Sequence, residues 1–200
     1  MKPLIDLVKK LKASPIKLVV DKRLKEFSSI PRNFENLFRE LAFCILTAGT
    51  SAELGIKTIS HLGDTLFLGS HEEIQKKLKE VYRFHTIRAG YLHEARNNFK
   101  KLDINSPDIR EQLVKNIKGL GMKESSHFLR NIGFCDYAIV DFHIVDILVK
   151  NSLIAKPKTL TPKKYLEIES VLRELAEKTN TNLAELDLYL WYEETGKVLK

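Results

Sequence analysis

IREQLVKNIKGLGMKESSHFLRNIG, residues 109–133, contains two short helical patterns on either side of a glycine pair. Ile109, Leu113 and Ile117 recur at helical spacing until Lys118-Gly119-Leu120-Gly121 interrupts them. Met122, Phe128, Leu129 and Ile132 resume the pattern, and Gly133 stands where a helix-terminating glycine belongs. Two glycines around one apolar residue allow a tight turn, with Leu120 anchoring it between the helices. Such a turn presents successive backbone N–H groups at the start of the second helix. Those amides, with the positive end of the helix dipole, bind a phosphate without reading sequence. Gly119, Leu120 and Gly121 are therefore expected to hold a nucleic-acid backbone. The carbonyls of Lys118, Gly119, Leu120 and Gly121 offer a seat for a monovalent cation bridging to the same strand.

The rest of the chain also reads as helix. Phe34, Leu37, Phe38, Leu41, Ala42 and Ile45 form one broad buried stripe, and Pro31 just upstream suits a helix start. Thr50 with Glu53, and Ser70 with Glu73, have the spacing of capping boxes. Ser106-Pro107 and Thr161-Pro162 read as a cap followed by proline at the first helical position. Asn182 with Glu185 opens a last helix with the face Leu183, Leu186 and Leu190. Period-two alternation is limited to AIVDFHIV at 138–145, which also fits a helix starting at Asp141. The expected fold class is all-α, about ten short helices and turns in two helical lobes. Residues 30–133 are expected to form a central lobe ending in the hairpin, with 1–29 and 134–200 forming the second.

Composition narrows the function classes. The 33 Lys and Arg residues against 26 Asp and Glu leave a net charge of +7, which favours polyanionic partners. Cys44 and Cys135 are the two cysteines, which excludes a disulfide framework and a four-cysteine zinc or iron–sulfur site. No apolar run approaches the ~20 residues of a membrane span, and Asp6 with its neighbouring lysines does not suit a secretory signal. A soluble cytoplasmic, nucleoid-associated monomer without membrane contact is the expectation.

Lys123 lies two residues after Gly121, and Asp141 follows eighteen residues later in Ala138-Ile139-Val140-Asp141-Phe142-His143. This frame resembles the helix-hairpin-helix–Gly/Pro–Asp superfamily of DNA base-excision glycosylases, whose bifunctional members place a lysine after the hairpin and an aspartate at a similar interval. The intervening loop here has Gly133 and no proline. A lysine suits the chemistry because a primary amine can displace a damaged base at C1′ and persist as a Schiff base. That imine acidifies the C2′ protons and permits β-elimination, which a hydroxyl or carboxylate nucleophile would not. The amine attacks in its neutral form, favoured by partial burial and the positive end of its own helix. A carboxylate at Asp141 stabilises cationic character at the sugar and shuttles a proton. It also suits a helix cap. Asp136 lies too near the hairpin for the same role, and Asp146 falls inside an apolar helix.

Within the superfamily, the endonuclease III and adenine-specific branches usually carry a C-terminal four-cysteine iron–sulfur loop, whereas this chain has no cysteine after Cys135. The 3-methyladenine branch lacks the lysine. The remaining resemblance is to compact 8-oxoguanine DNA glycosylase/AP lyases of archaea and some thermophilic bacteria. It rests on LAFCILTAGTSAELGIKTISHLG (41–63), YRFHTIRAGYLHEAR (82–96), GLGMKESSHFLRNIG (119–133), AIVDFHIVDIL (138–148) and WYEETGKVLK (191–200).

The resemblance implies an enzyme that excises 8-oxoguanine from duplex DNA and nicks the abasic site, with no required cofactor. It implies that the turn at 47–52 approaches the minor groove. Phe84 or His85 becomes a wedge beside the orphaned base, and Arg83 or Arg88 reads the opposite cytosine. His143 is expected at the phosphate of the extruded nucleotide. Trp191 is expected to wall or stack on the damaged base, while the terminal carboxylate of Lys200 helps to recognise it. 8-Oxoguanine carries a donor at N7 where guanine has an acceptor, so a buried acceptor aimed at N7 separates the two. The rival expectations are a glycosylase of the same fold for another lesion, such as an oxidised pyrimidine, and a non-catalytic hairpin protein that binds DNA.

Overall fold

A computed structural model describes residues 1–198, and among them there is no strand. Two compact units divide the chain: Ile30–Phe128, and Met1–Ser29 together with the chain from Leu129 on. Residues 129–133, expected to close the central lobe, group instead with the terminal unit. The division falls within one helix, whose Arg130 finds its partners, Asp187 and Phe27, in the terminal unit.

The central unit contains α3 (Phe34–Thr47), α4 (Ala52–Leu62), α5 (Thr65–Leu68), α6 (His71–Val81), α7 (His85–Phe99), α8 (Ile109–Asn116) and the first part of α9 (Met122–Asn131). The stripe expected on α3 is wider than expected. From Glu40 to Thr47 every residue is buried, since α4 and α7 pack on it from different sides. Phe34 stacks on Phe38 at 5.3 Å, and Phe99 meets the Phe128 ring edge-on at 5.6 Å. These rings join the start of α3, the end of α7 and the middle of α9 in one apolar cluster.

Side-chain caps open several of the helices. Ser70 and Glu73 form the full capping box. At α4 the cap is Ser51 rather than Thr50: the Thr50 hydroxyl donates to the Leu46 carbonyl at 2.7 Å, closing α3, and the next serine accepts from Leu54 N–H. The Ser106-Pro107 expectation is also corrected. There the helix begins two residues later at Ile109, because the Ser106 hydroxyl is turned to the Asp108 carboxylate at 2.5 Å.

The terminal unit contains α1 (Lys2–Lys12), α2 (Ile16–Ser28), the end of α9, α10 (Phe142–Lys150), α11 (Pro162–Thr179) and α12 (Leu183–Thr195). α1 packs on α2, α11 and α12 through Leu4, Val8 and Leu11. Lys12 donates to the carbonyls of Thr179 and Asn180 at 3.0 and 2.5 Å, placing a cation on the open carbonyls that end α11. Arg130 is buried and pairs with Asp187 at 2.8 Å, with its guanidinium 4.8 Å from the Phe27 ring centre. Gly133 has φ +93°. The amides of Gly133 and Phe134 close on the carbonyls of Arg130 and Leu129 in a Schellman arrangement. A side chain at Gly133 would stand 2.9 Å from Ser28 Cα, so glycine is required by close approach as well as by backbone angle. No helix among the described residues is long and apolar enough to cross a membrane.

Candidate functional site

The hairpin has the expected turn, with one difference in how its amides are used. The Leu120 amide closes on the Ile117 carbonyl at 3.2 Å, and the buried Leu120 side chain pins the turn. The Gly121 carbonyl accepts from Ser125 N–H at 3.0 Å, making Gly121 the cap residue of α9. One of the four carbonyls expected to hold a cation is thus engaged in the first helical turn. Gly119 has φ +89°, and a β-carbon there would lie 2.6 Å from Cδ2 of Tyr91 on α7. The Gly121 amide, expected to face a phosphate, donates to Glu124 Oε2 at 3.3 Å. Lys123 stands on the same first turn, about one-third exposed, with Nζ 3.9 Å from Glu124 Oε1. Glu124 was not singled out from sequence, although its position three residues after Gly121 is the spacing of half a capping box.

Two arginines of the 82–96 stretch, Arg83 and Arg88, converge on the turn after α3. Arg83 Nη2 donates to the Gly49 carbonyl at 3.0 Å, and Arg88 Nη2 donates to the Ala48 carbonyl at 2.9 Å. The Arg88 guanidinium also lies over the Tyr91 ring at 5.5 Å, near the space that Gly119 leaves open. Arg88 therefore ties the turn after α3 to α7 and continues the contact to the hairpin, while Arg83 holds the same turn from the segment just before α7. Tyr82 belongs to the core, 3% exposed, with its hydroxyl on the Leu46 carbonyl. Phe84 is 38% exposed, with the Arg83 guanidinium 4.3 Å above its ring. His85 starts α7 beside Thr86, with Nδ1 3.2 Å from the hydroxyl oxygen.

In the terminal unit, Asp141 caps α10 as its spacing suggested: Oδ1 accepts from Ile144 N–H at 2.9 Å. Among the described residues Oδ2 has no hydrogen-bond partner. The competing aspartates are placed otherwise. Asp136 is an exposed side chain beside Arg173, and Asp146 pairs with Lys156 on the surface. His143 meets Trp191 edge-on at 5.3 Å, and its Nδ1 lies 3.5 Å from Glu194 Oε1. The neighbouring Phe142 is 69% exposed, with its ring centre 3.9 Å from that of His143. Glu194 has no local signal linking it to His143, because the two meet only through the packing of α10 and α12. Lys200 lies outside the described residues.

Comparison with known proteins gives one consistent result. The family model for 8-oxoguanine DNA glycosylase matches residues 20–181. An 8-oxoguanine DNA glycosylase/AP lyase of Korarchaeum cryptofilum is 49% identical over 205 residues, covering 98% of each chain. The crystal structure of Methanocaldococcus jannaschii 8-oxoguanine glycosylase/lyase in complex with 15mer DNA containing 8-oxoguanine superposes with a TM-score of 0.93. It is 47% identical and covers 98% of this chain and 99% of that one. The crystal structure of the 8-oxoguanine DNA glycosylase of Thermotoga maritima has a TM-score of 0.92 at 38% identity, covering 100% of this chain and 99% of that one. With sequence, hairpin and three-dimensional likeness in agreement along nearly its whole length, the chain belongs to the 8-oxoguanine DNA glycosylase family.

Proposed function

We propose that this chain excises 8-oxoguanine from duplex DNA and then cuts the strand at the resulting abasic site. The observation that carries the reading is the Gly119-Leu120-Gly121 turn with Lys123 on the first turn of α9, in a chain of this family. The Lys123 amine forms a bond to C1′ while the N-glycosidic bond breaks, and its electron pair leaves with the base, which takes up a proton. Opening of the sugar ring gives the imine, joined through Nζ. Loss of a C2′ proton then expels the 3′ phosphate by β-elimination, and water releases the enzyme. Asp141 stabilises positive charge at the sugar through its open Oδ2 and takes a proton from the attacking amine.

The balance needs only water, so no metal or redox cofactor enters this route. The hairpin amides take the DNA backbone, His143 takes a phosphate, Phe84 fills the stack, and Trp191 walls the extruded base. Arg83 or Arg88 reads the opposite cytosine, both being held beside the turn after α3 by their bonds to the Gly49 and Ala48 carbonyls. The chain acts on duplex DNA as a monomer in the cytoplasmic nucleoid.

Borohydride reduction tests this directly. Wild-type protein incubated with an 8-oxoguanine duplex should give a covalent protein–DNA adduct, and Lys123→Gln should give none. An undiminished adduct in the variant would refute the lysine assignment. A panel of duplexes with other damaged bases tests the substrate: faster cutting of an oxidised pyrimidine would replace 8-oxoguanine as the preferred lesion.

A further inference from the structure

The segment just before Asp141 is buried without belonging to a helix. Ala138, Ile139 and Val140 are 2%, 8% and 0% exposed, and no strand among the described residues pairs with them. Backbone N–H and C=O groups taken out of water in this way need partners from elsewhere. α11 supplies them from two side chains one turn apart, Tyr165 and Glu169. Glu169 Oε2 accepts from Ala138 N–H at 3.0 Å. The Tyr165 hydroxyl donates to the Ala138 carbonyl at 2.6 Å and accepts from Val140 N–H at 3.1 Å.

We propose that Tyr165 and Glu169 are positioning residues for Asp141, clamping the backbone at 138–140 so that its carboxylate is held in the geometry the excision step requires. This rests on the reading of Asp141 as the carboxylate that acts at the sugar. The aspartate is fixed from both directions. Behind it, the clamp takes the Val140 amide; ahead of it, the Ile144 amide holds Oδ1 at 2.9 Å. Oδ2 is then free to turn only within the limits set by those two anchors.

Both clamp side chains are themselves buried, Tyr165 at 1% and Glu169 at 7% exposed. An acid and a phenol in such a place are costly unless their hydrogen bonds are made. Apolar residues would fill the same space, but would leave the amides of Ala138 and Val140 and the Ala138 carbonyl without these partners. A displaced backbone at Val140 moves the next residue, and an error of about 1 Å at a reacting group can cost about a hundredfold in rate.

The test is single-turnover excision from an 8-oxoguanine duplex by wild type, Tyr165→Phe, Asp141→Asn and the double variant. Asn retains the cap on α10, so Asp141→Asn removes the carboxylate without removing the helix start. Tyr165→Phe is expected to slow excision about 10- to 100-fold while leaving duplex affinity within about twofold. In the Asp141→Asn background the same change should add little further loss, because the group it positions is already gone. At the second anchor, Glu169→Gln retains an acceptor oxygen and should keep most of the rate, whereas Glu169→Leu should not. If Tyr165→Phe does not fold, Glu169→Leu takes its place in the same cycle. Excision by Asp141→Asn at the wild-type rate would remove the reading of Asp141 itself. A crippled Asp141→Asn combined with a fully active Tyr165→Phe, or with equal losses in both backgrounds, would overturn the positioning role alone.

Discussion

Glu124 holds the place where the hairpin amide would meet a phosphate oxygen. Its Oε2 is 3.3 Å from Gly121 N, so a DNA backbone approaching that amide displaces a carboxylate already there. A negative side chain in the first helical turn is favourable by about 0.3–1 kcal/mol, which sets the scale of the competition. Glu124→Gln keeps an acceptor and removes the charge. It is expected to tighten binding to undamaged duplex about two- to fivefold, measured by fluorescence anisotropy at low salt; equal affinity would show that the carboxylate does not compete. Gly119 is fixed for a different reason. Its φ of +89° and the nearby Tyr91 ring exclude a side chain, whereas Gly121 lacks a positive φ and would meet only the flexible end of Glu124. The glycine pair seen in the sequence therefore divides into one backbone requirement and one helix cap.

At the scale of elements, the ends of helices were more legible than the surfaces they bury. Ser70, Thr161 and Asn182 cap the helices expected of them, and Asp141 caps α10. These contacts span three residues, so local chemistry alone sets them. Thr50 and Ser106 depart from their spacing because each hydroxyl turns to another local acceptor: Ser51 then caps α4, while α8 starts after Asp108 with no side-chain cap. α12 carries a testable electrostatic consequence. Burial pushes the Glu185 carboxyl above its ordinary range against the opposing pull of Lys12 and Lys17. A carboxyl raised on folding favours the folded state when protonated, and that contribution is lost as pH rises through the raised value. Glu185→Gln is thus expected to raise the melting temperature by about 1–2 °C at neutral pH. It should bring no gain in acid below the ordinary carboxylate range, where both side chains are neutral. Calorimetry at the two pH values checks the sign, and an equal gain at both would assign the effect to packing.

The whole chain carries a net charge of +7, and its partner is proposed to be a polyanion. Neutralising phosphates releases counterions, so affinity should fall steeply with salt. About four phosphate contacts imply a loss of about a hundredfold between roughly 50 and 200 mM monovalent salt. Titrations across that range give the slope directly, and a flat response would show that the surplus positive charge faces away from the DNA. Lys123 falls in the central unit and Asp141 in the terminal one.

Helical periodicity, capping pairs and the Gly119–Gly121 turn were readable because they depend on neighbours within a few residues. The same short-range reading placed Lys123 after the hairpin and Asp141 at a helix start. Other features needed partners brought from far along the chain: Arg83 and Arg88 on the carbonyls of Gly49 and Ala48, Glu194 beside His143, and Tyr165 and Glu169 on the backbone before Asp141. α3 likewise became buried nearly all round only when other helices enclosed it. Spacing along a chain reports what one helix turn or one backbone turn can satisfy. Which polar groups are shut away from water, and which distant side chains must then answer them, is set when the helices pack.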